Sequence, residues 1–385
     1  MYLQAPEPPI NPPTSREGAH VLHVMQCANL GGMEQTTLLR MSGLQRTGLL
    51  VRLVSLHEVK GLGSQLTDSR IPYVGLKYRW PWGLPGMIRM RRAFLAEPSS
   101  ALMMHGHNAA AMIALRSICR DRRMLCVHFH HTGVKSRPAW KLIYRIATNS
   151  FPVITFPSEF TKGEAEDIYP PLRSVSKILP NPFVVPPSTP TAEDRRRARQ
   201  FFGIASEGFV IGNAGWLIKR KRWDVFLRVA HNVIRQRPEA TFVIAGDGEE
   251  RHRLAALAVE LGIDKRVKWV GWLTDMNRFY AALDVLLFNS DWDALGRTPI
   301  EAVSQGVSVV ASVANGGLAE FLRDGIDAYV STTHNIDDLA SKVVCLADPA
   351  IAQRMVRSAR QQLTMRLSPE RDIQMIRQLL NFGTD

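Results

Sequence analysis

Four cysteines are all that the 385 residues contain, at Cys27, Cys119, Cys126 and Cys345, and none has C-x-x-C spacing. Scattered in this way they exclude a disulfide framework or a zinc site and fit a reducing cytoplasm. No apolar run approaches the roughly 18 residues that a membrane-crossing helix needs. The first residues lack the basic-then-apolar layout of a secretion signal. Residues 1–17 instead carry five prolines and are expected to form a flexible tail. Carboxylates are also short: 35 Asp and Glu stand against 48 Lys and Arg, a formal charge of +13. Such a balance suits phosphate-bearing ligands, nucleic acid or an anionic membrane surface, without choosing among them. The basic residues are dispersed and no nucleic-acid recognition motif is present, which argues against nucleic acid as the partner. A basic nucleic-acid-binding protein is kept as the reading from a different class.

What is present is a globular composition, 45% hydrophobic and 22% charged, at a length that favours two domains. From His20 onward short apolar strands alternate with amphipathic helices, the βαβ pattern of a parallel sheet covered on both faces. Strands are expected at 21–25, 51–55, 101–104, 124–129 and 153–156, with helices at 33–47, 85–96, 109–119 and 138–148. Pro180 to Pro190, PNPFVVPPSTP, cannot carry a helix and reads as a hinge. The pattern then restarts with strands at 209–212, 241–245, 267–270, 285–288 and 307–311, and a strongly striped helix at 223–235. The expected layout is a tail at 1–17, a first domain at 18–180, a hinge at 181–191 and a second domain at 192–366. A last helix follows within 367–385.

Several places carry chemistry. Gly31-Gly32 lies between the first strand and the first helix, where bare backbone amides and a helix N-terminus suit a phosphate, although a tight turn explains it as well. Gly316-Gly317 repeats the device in the second half. Lys219-Arg220-Lys221-Arg222 follows a strand and Gly215, where a diphosphate would lie; a solvated basic face is the plain alternative. His128, His130 and His131 crowd the end of a strand, and His105 and His107 end another. Gly246 and Gly248 bracket a turn. Tyr78 to Trp82 leads into a basic segment with Met87, Ile88 and Met90, a composition that a membrane-surface patch shares with an ordinary exposed helix. Asp293 and Glu301 are separated by seven residues. Thr298-Pro299-Ile300-Glu301 reads as a capped helix start with Thr298 as N-cap, and Gly306 suits the stop. Glu301 therefore serves equally as a capping carboxylate or as an acceptor for a ribose diol.

The stretch Asp293, Gly296, Glu301-Ala302, Gly306, Val309 to Ser312, Gly316-Gly317, Glu320 resembles the donor-binding signature of glycosyltransferase family 4. Two departures show, Asp293 where Glu is usual and Ser308 where Pro is usual. The resemblance runs from His20 to the final helix. It implies the GT-B fold: α/β, two Rossmann-like doubly wound parallel-sheet domains facing a central cleft, with the C-terminal helix crossing back to the first. It implies a retaining transferase moving a sugar from a nucleotide-sugar, UDP first, to a polysaccharide or lipid-linked glycan hydroxyl. It places the diphosphate on Lys221 and, since Trp216 replaces the usual Arg, on Arg220. Glu301 would hold the ribose and Asp293 the sugar hydroxyls, with His130 on the acceptor side and His131 beside it. Gly31, Gly32, Gly215, Gly246, Gly248, Gly296, Gly316 and Gly317 would line the donor. Pro182 departs from the family's Asn-Gly after Asn181. No cofactor and no metal are expected, and the location would be the cytoplasm, peripheral to the inner membrane face. A second enzyme reading takes Asp291-Trp292-Asp293 as a DxD metal motif.

Overall fold

The computed structural model describes residues 20–29, 32–76, 84–96, 99–117, 123–127 and 136–381. The chain divides into two compact units. The first takes residues 1–157, 162–182 and 369–385; the second takes 158–161 and 183–368.

In the first unit the chain runs β1 (His20–Met25), α1 (Gly32–Arg46), β2 (Leu50–Ser55), α2 (Gly63–Asp68), β3 (Tyr73–Gly75), α3 (Leu84–Ala96) and β4 (Ala101–His105). It continues through α4 (Ala109–Arg116), β5 (Arg123–Val127), α5 (Arg137–Ser150), β6 (Val153–Phe156), α6 (Glu159–Ile168) and β7 (Ser176–Ile178). The sheet is parallel in the order β3-β2-β1-β4-β5-β6-β7. The strands are apolar on both faces because helices cover both. On one face Leu22, Leu102 and Met104 meet Phe94 of α3, Ala111 of α4 and Trp140 of α5. On the other, Val21, Val51 and Met103 meet Met41 and Leu44 of α1.

The second unit runs α7 (Ala192–Phe201), β8 (Val210–Ala214), α8 (Trp223–Gln236), β9 (Thr241–Ala245), α9 (Arg251–Glu260), β10 (Val267–Gly271), α10 (Met276–Ala282) and β11 (Val285–Asp293). Then come α11 (Arg297–Ser304), β12 (Ser308–Gly316), β13 (Tyr329–Ser331), α12 (Ile336–Cys345) and α13 (Pro349–Leu367). This parallel sheet has the order β10-β9-β8-β11-β12-β13. The stripe expected on α8 is buried: Trp223, Phe226, Leu227, Ala230 and Val233 are all in the core.

The last helix, α14 (Pro369–Leu379), belongs to the first unit. It packs on α1, where Ile373 and Ile376 join the core. Arg40, fully buried on α1, holds the Asp372 carboxylate through Nε at 3.1 Å and Nη2 at 2.9 Å. Burial pushes the Asp372 carboxyl up against the pull of Arg40.

Two expectations about local structure are corrected. The strand expected to stop at Phe288 continues to Asp293, because β12 pairs with it through Asp293↔Gly316. The helix expected to start after Thr298 starts at Arg297, with Gly296 as N-cap at φ 79°. Glycine reaches that left-handed conformation without a Cβ clash, and the Gly296 N–H donates to Asp293 Oδ1 at 2.8 Å. Glu301 is thus freed from any capping box.

Candidate active site

The carboxyl ends of β8, β9 and β11 gather the second unit's chemistry. After β8 and Gly215, residues Lys219–Lys221 form one 3-10 turn, and Arg222 sits in the left-handed region at φ 46° before α8 begins. That turn carries its cations to the end of β11. Lys221 Nζ lies 2.6 Å from Asp293 Oδ2, with both side chains over four-fifths buried, and stands 4.8 Å from the centre of the Phe288 ring. Burial alone would push the Asp293 carboxyl up; the Lys221 charge and hydrogen bond and the Gly296 amide outweigh it and hold the group below the usual carboxylate range. Arg220 donates to the Trp292 carbonyl at 2.5 Å, and its guanidinium lies 5.7 Å from the Trp292 ring centre.

Arg222, the residue with positive φ, is clamped. Its Nε and Nη2 each donate to Asp224 at 3.1 Å and its Nη1 to Asp291 at 3.0 Å. His334 Nε2 reaches the same Asp291 oxygen at 3.0 Å, and His334 Nδ1 meets Ser312 Oγ. Both carboxylates of the Asp291-Trp292-Asp293 sequence are therefore engaged by cationic or imidazole groups from this unit. This network was not visible in the sequence, since neither a lone histidine in a loop nor an arginine in a basic run signals a clamp.

Glu301 lies on α11, whose Thr298 Oγ1 donates to the last carbonyl of β8 (Ala214) at 3.4 Å. Its oxygens accept from Tyr280 Oη at 2.8 Å and from Arg297 Nε at 2.6 Å. Tyr280 is buried, and burial followed by the Glu301 charge pushes its phenol well up. Tyr280 was also missed, because a tyrosine on an apolar helix reads as core.

The glycines have tight roles. A Cβ at Gly246 would stand 2.0 Å from the Gly215 carbonyl oxygen, and one at Gly316 would stand 2.5 Å from that of Asp293. Gly317 N–H donates to Asp293 O at 3.3 Å. Gly248 follows in the same turn as Gly246, and its N–H donates to Asp247 Oδ1 at 2.8 Å. Glu320 spends both carboxylate oxygens on the Glu159 and Phe160 amides at 2.8 Å, inside the same unit.

In the first unit, Gly32 opens α1; Gly31, His130 and His131 lie outside the described residues. Glu34 in the first turn of α1 accepts Cys27 Sγ–H at 3.4 Å, and burial together with that carboxylate raises the thiol to about 11. His105, noted in the sequence as ending a strand, is fully buried and stacked on His23, with ring centres 5.2 Å apart. A strand that is covered on both faces turns its terminal side chain into the core. Burial, then the charge of Arg40, brings His23 down to about 3; burial also takes His105 well below its ordinary value. His107 is half-buried against Trp140, with ring centres 4.9 Å apart. Among the described residues no cluster of three or more His, Cys, Asp or Glu could hold a metal ion, and no helix is long and apolar enough to cross a membrane.

Comparison with known proteins agrees with this geometry. The model for "Glycosyl transferases group 1" matches residues 194–362, and that for "Glycosyltransferase Family 4" matches residues 30–183. The chain is 29% identical over 162 residues to the lipopolysaccharide core biosynthesis glycosyltransferase LpsE of Rhizobium meliloti, covering 42% of this chain and 46% of that one. It is 26% identical over 262 residues to the GDP-mannose-dependent alpha-(1-6)-phosphatidylinositol monomannoside mannosyltransferase of Mycolicibacterium smegmatis, covering 64% and 68%. With LpsE, then, the match spans under half of the relative's length. In fold it is similar to Anabaena Alr3699/HepE solved with UDP and glucose, at TM-score 0.79 and 18% identity, covering 94% of this chain and 99% of that one. Two parallel α/β sheets with a C-terminal helix on the first, a cation–carboxylate pair at the carboxyl edge of the second, and family matches spanning both halves lead to one assignment: the chain belongs to glycosyltransferase family 4, the glycosyl transferases group 1, and has the GT-B fold.

Proposed function

We propose that the protein transfers a sugar from a nucleotide-sugar, UDP-linked in the first instance, to a hydroxyl of a polysaccharide or lipid-linked glycan, with retention of configuration. The observation that carries this reading is the placement of Lys221 and Arg220 beside Asp293 at the end of β11, with Glu301 on the helix that meets the end of β8 through Thr298. In the reaction the bond between the anomeric carbon and the β-phosphate oxygen breaks, and that electron pair leaves with the diphosphate. Lys221 Nζ and the Arg220 guanidinium stabilise the negative charge that grows there. Glu301 accepts from the ribose hydroxyls in place of Arg297 and Tyr280. Asp293, held ionised by Lys221, accepts hydrogen bonds from the transferred sugar. The acceptor oxygen forms the new bond to the anomeric carbon and passes its proton to the departing phosphate oxygen, with His130 assigned to orient the acceptor and His131 placed beside the donor. Cationic side chains do the work on the diphosphate, so the proposed reaction takes no metal and no cofactor.

UDP is supported by the fold similarity to a UDP complex, whereas the mycolicibacterial relative takes GDP-mannose. Thermal unfolding with UDP, GDP and their sugars, with and without EDTA, separates the two. A nucleotide at ~100 times its Kd adds about 2.7 kcal/mol. An EDTA-insensitive shift with UDP supports the whole reading, a shift with GDP alone changes the donor, a metal-dependent shift restores the DxD reading, and no shift with any nucleotide rejects the transferase.

A cell-envelope acceptor at the cytoplasmic face of a membrane is the companion proposal. α3, α4 and α5 share one face of the first sheet and contain no Asp or Glu. They carry Arg89, Arg91 and Arg92, Arg116, and Arg137, Lys141 and Arg145, interleaved with exposed Ile88, Leu95, Ile113 and Leu142. That combination suits an anionic lipid surface. Co-sedimentation with vesicles containing phosphatidylglycerol, absent with phosphatidylcholine alone and lost in Arg89→Glu/Arg92→Glu, is the expected result; equal binding to both vesicle types would reject it.

A further inference from the structure

The second unit exposes two tryptophans whose rings meet. Trp216 follows Gly215 after β8 and is 58% exposed; Trp272 follows Gly271 after β10 and is 60% exposed. Their ring centres are 4.8 Å apart, tilted by 46°. Indoles are large apolar surfaces, and a pair left this open marks a place where something else packs.

The floor beneath them is built. The loops after β8, β9 and β10 run side by side, joined by Gly215 N–H to Ala245 O at 2.9 Å, Leu217 N–H to Asp247 O at 3.0 Å and Gly246 N–H to Gly271 O at 2.7 Å. The middle loop contributes Gly246, which has no room for a side chain. The indoles therefore meet across a bare glycine turn. Trp216 is further fixed by its carbonyl, which accepts from Trp223 Nε1 at 2.9 Å.

Position along the sheet edge names the occupant. Lys221 and Arg220 stand at the end of β11, and the strand order from there is β11, β8, β9, β10. Glu301 lies on α11, which meets the end of β8 through Thr298, and is tied through Tyr280 to α10, the helix that follows Trp272. Three strand spacings separate β11 from β10, ~14 Å. Cations, a diol-binding carboxylate and an aromatic pair thus occur in the order of phosphate, ribose and base along one edge.

We propose that Trp216 and Trp272 form a stacking shelf for the planar base of the donor nucleotide. This rests on the nucleotide-sugar reading above and assigns to Trp216 a base contact at the position where the family carries a phosphate-binding arginine. Stacking on an indole does not select among bases by hydrogen bonding, so the shelf contributes affinity more than base identity.

The test is calorimetric titration of the intact chain and of Trp216→Ala, Trp272→Ala and Trp272→Phe with UDP, GDP and inorganic pyrophosphate. Both side chains are exposed, so the variants should fold; far-UV circular dichroism checks this. Each alanine variant should bind the preferred nucleotide roughly tenfold or more weakly, with pyrophosphate affinity unchanged and Trp272→Phe within about threefold of the parent chain. Nucleotide affinity unchanged in both alanine variants would overturn the shelf and leave the transferase reading standing. Equal weakening of pyrophosphate and nucleotide would also overturn it, by placing the tryptophans at the phosphates. A parent chain that binds neither nucleotide would remove both.

Discussion

Replacing Lys221 by Met separates two roles that the ion pair with Asp293 combines. Lys221 Nζ is 2.6 Å from Asp293 Oδ2, and the two side chains are only 15% and 18% exposed. Removing the ammonium leaves a largely buried carboxylate with one amide partner. Burial, no longer opposed by the lysine, then pushes the Asp293 carboxyl upward. The expected stability loss is about 2–3 kcal/mol, the cost of leaving a buried charged acceptor without its donor. Turnover should fall for a different reason. The leaving diphosphate loses one charge-assisted contact of about 1.5–3 kcal/mol, which is roughly 10- to 150-fold in kcat. The double variant Lys221→Met/Asp293→Asn resolves the two effects. It leaves no unpaired charge, so thermal stability should return to within about 1 kcal/mol of the parent chain, while turnover stays low. Turnover of Lys221→Met within twofold of the parent would refute the assignment. Full recovery of turnover in the double variant would show that Lys221 serves only as the counterion of Asp293.

Other consequences follow from the first unit. The folded chain keeps His23 neutral down to about 3, whereas the unfolded chain takes up its proton below about 6.5, so this contribution is complete above pH 6.5 and is lost as pH falls. Between pH 7 and pH 5 the loss is about 2 kcal/mol for His23, with His105 acting in the same direction; urea midpoints should fall accordingly, and less so in His23→Leu/His105→Met. Arg40→Met should cost about 3–5 kcal/mol by stranding Asp372, seen as early proteolytic release of α14; a protected helix in that variant would count against the ion pair as its anchor. With its thiol raised to about 11, Cys27 should be alkylated at pH 8 hundreds of times more slowly than a free cysteine, whose thiolate fraction there is about a quarter. Peptide-resolved mass spectrometry measures this, and Glu34→Gln should quicken it.

The sequence by itself determined the alternation of strands and helices, its restart after the proline-rich stretch, and the nearness of Lys221, Asp293 and Glu301 to strand–helix junctions. Those features depend on neighbours close in the chain: apolar period, turn residues, and a short spacing that any βα unit places at a strand's carboxyl end. What depends on long-range pairing was decided only in the tertiary structure. Asp293 fell beyond the strand expected at 285–288 because the apolar run ends at Phe288, yet pairing with β12 extends the strand to Asp293. The sequence offered Thr298 as a helix cap, but the Asp293 carboxylate and the left-handed Gly296 moved the start. His105 stood as a site candidate until coverage of both sheet faces buried it against His23, which lies 82 residues earlier. Trp216 looked like a lost phosphate ligand. It meets Trp272 only because the sheet order sets β8, β9 and β10 side by side, and no local pattern in a chain encodes which strands will be neighbours.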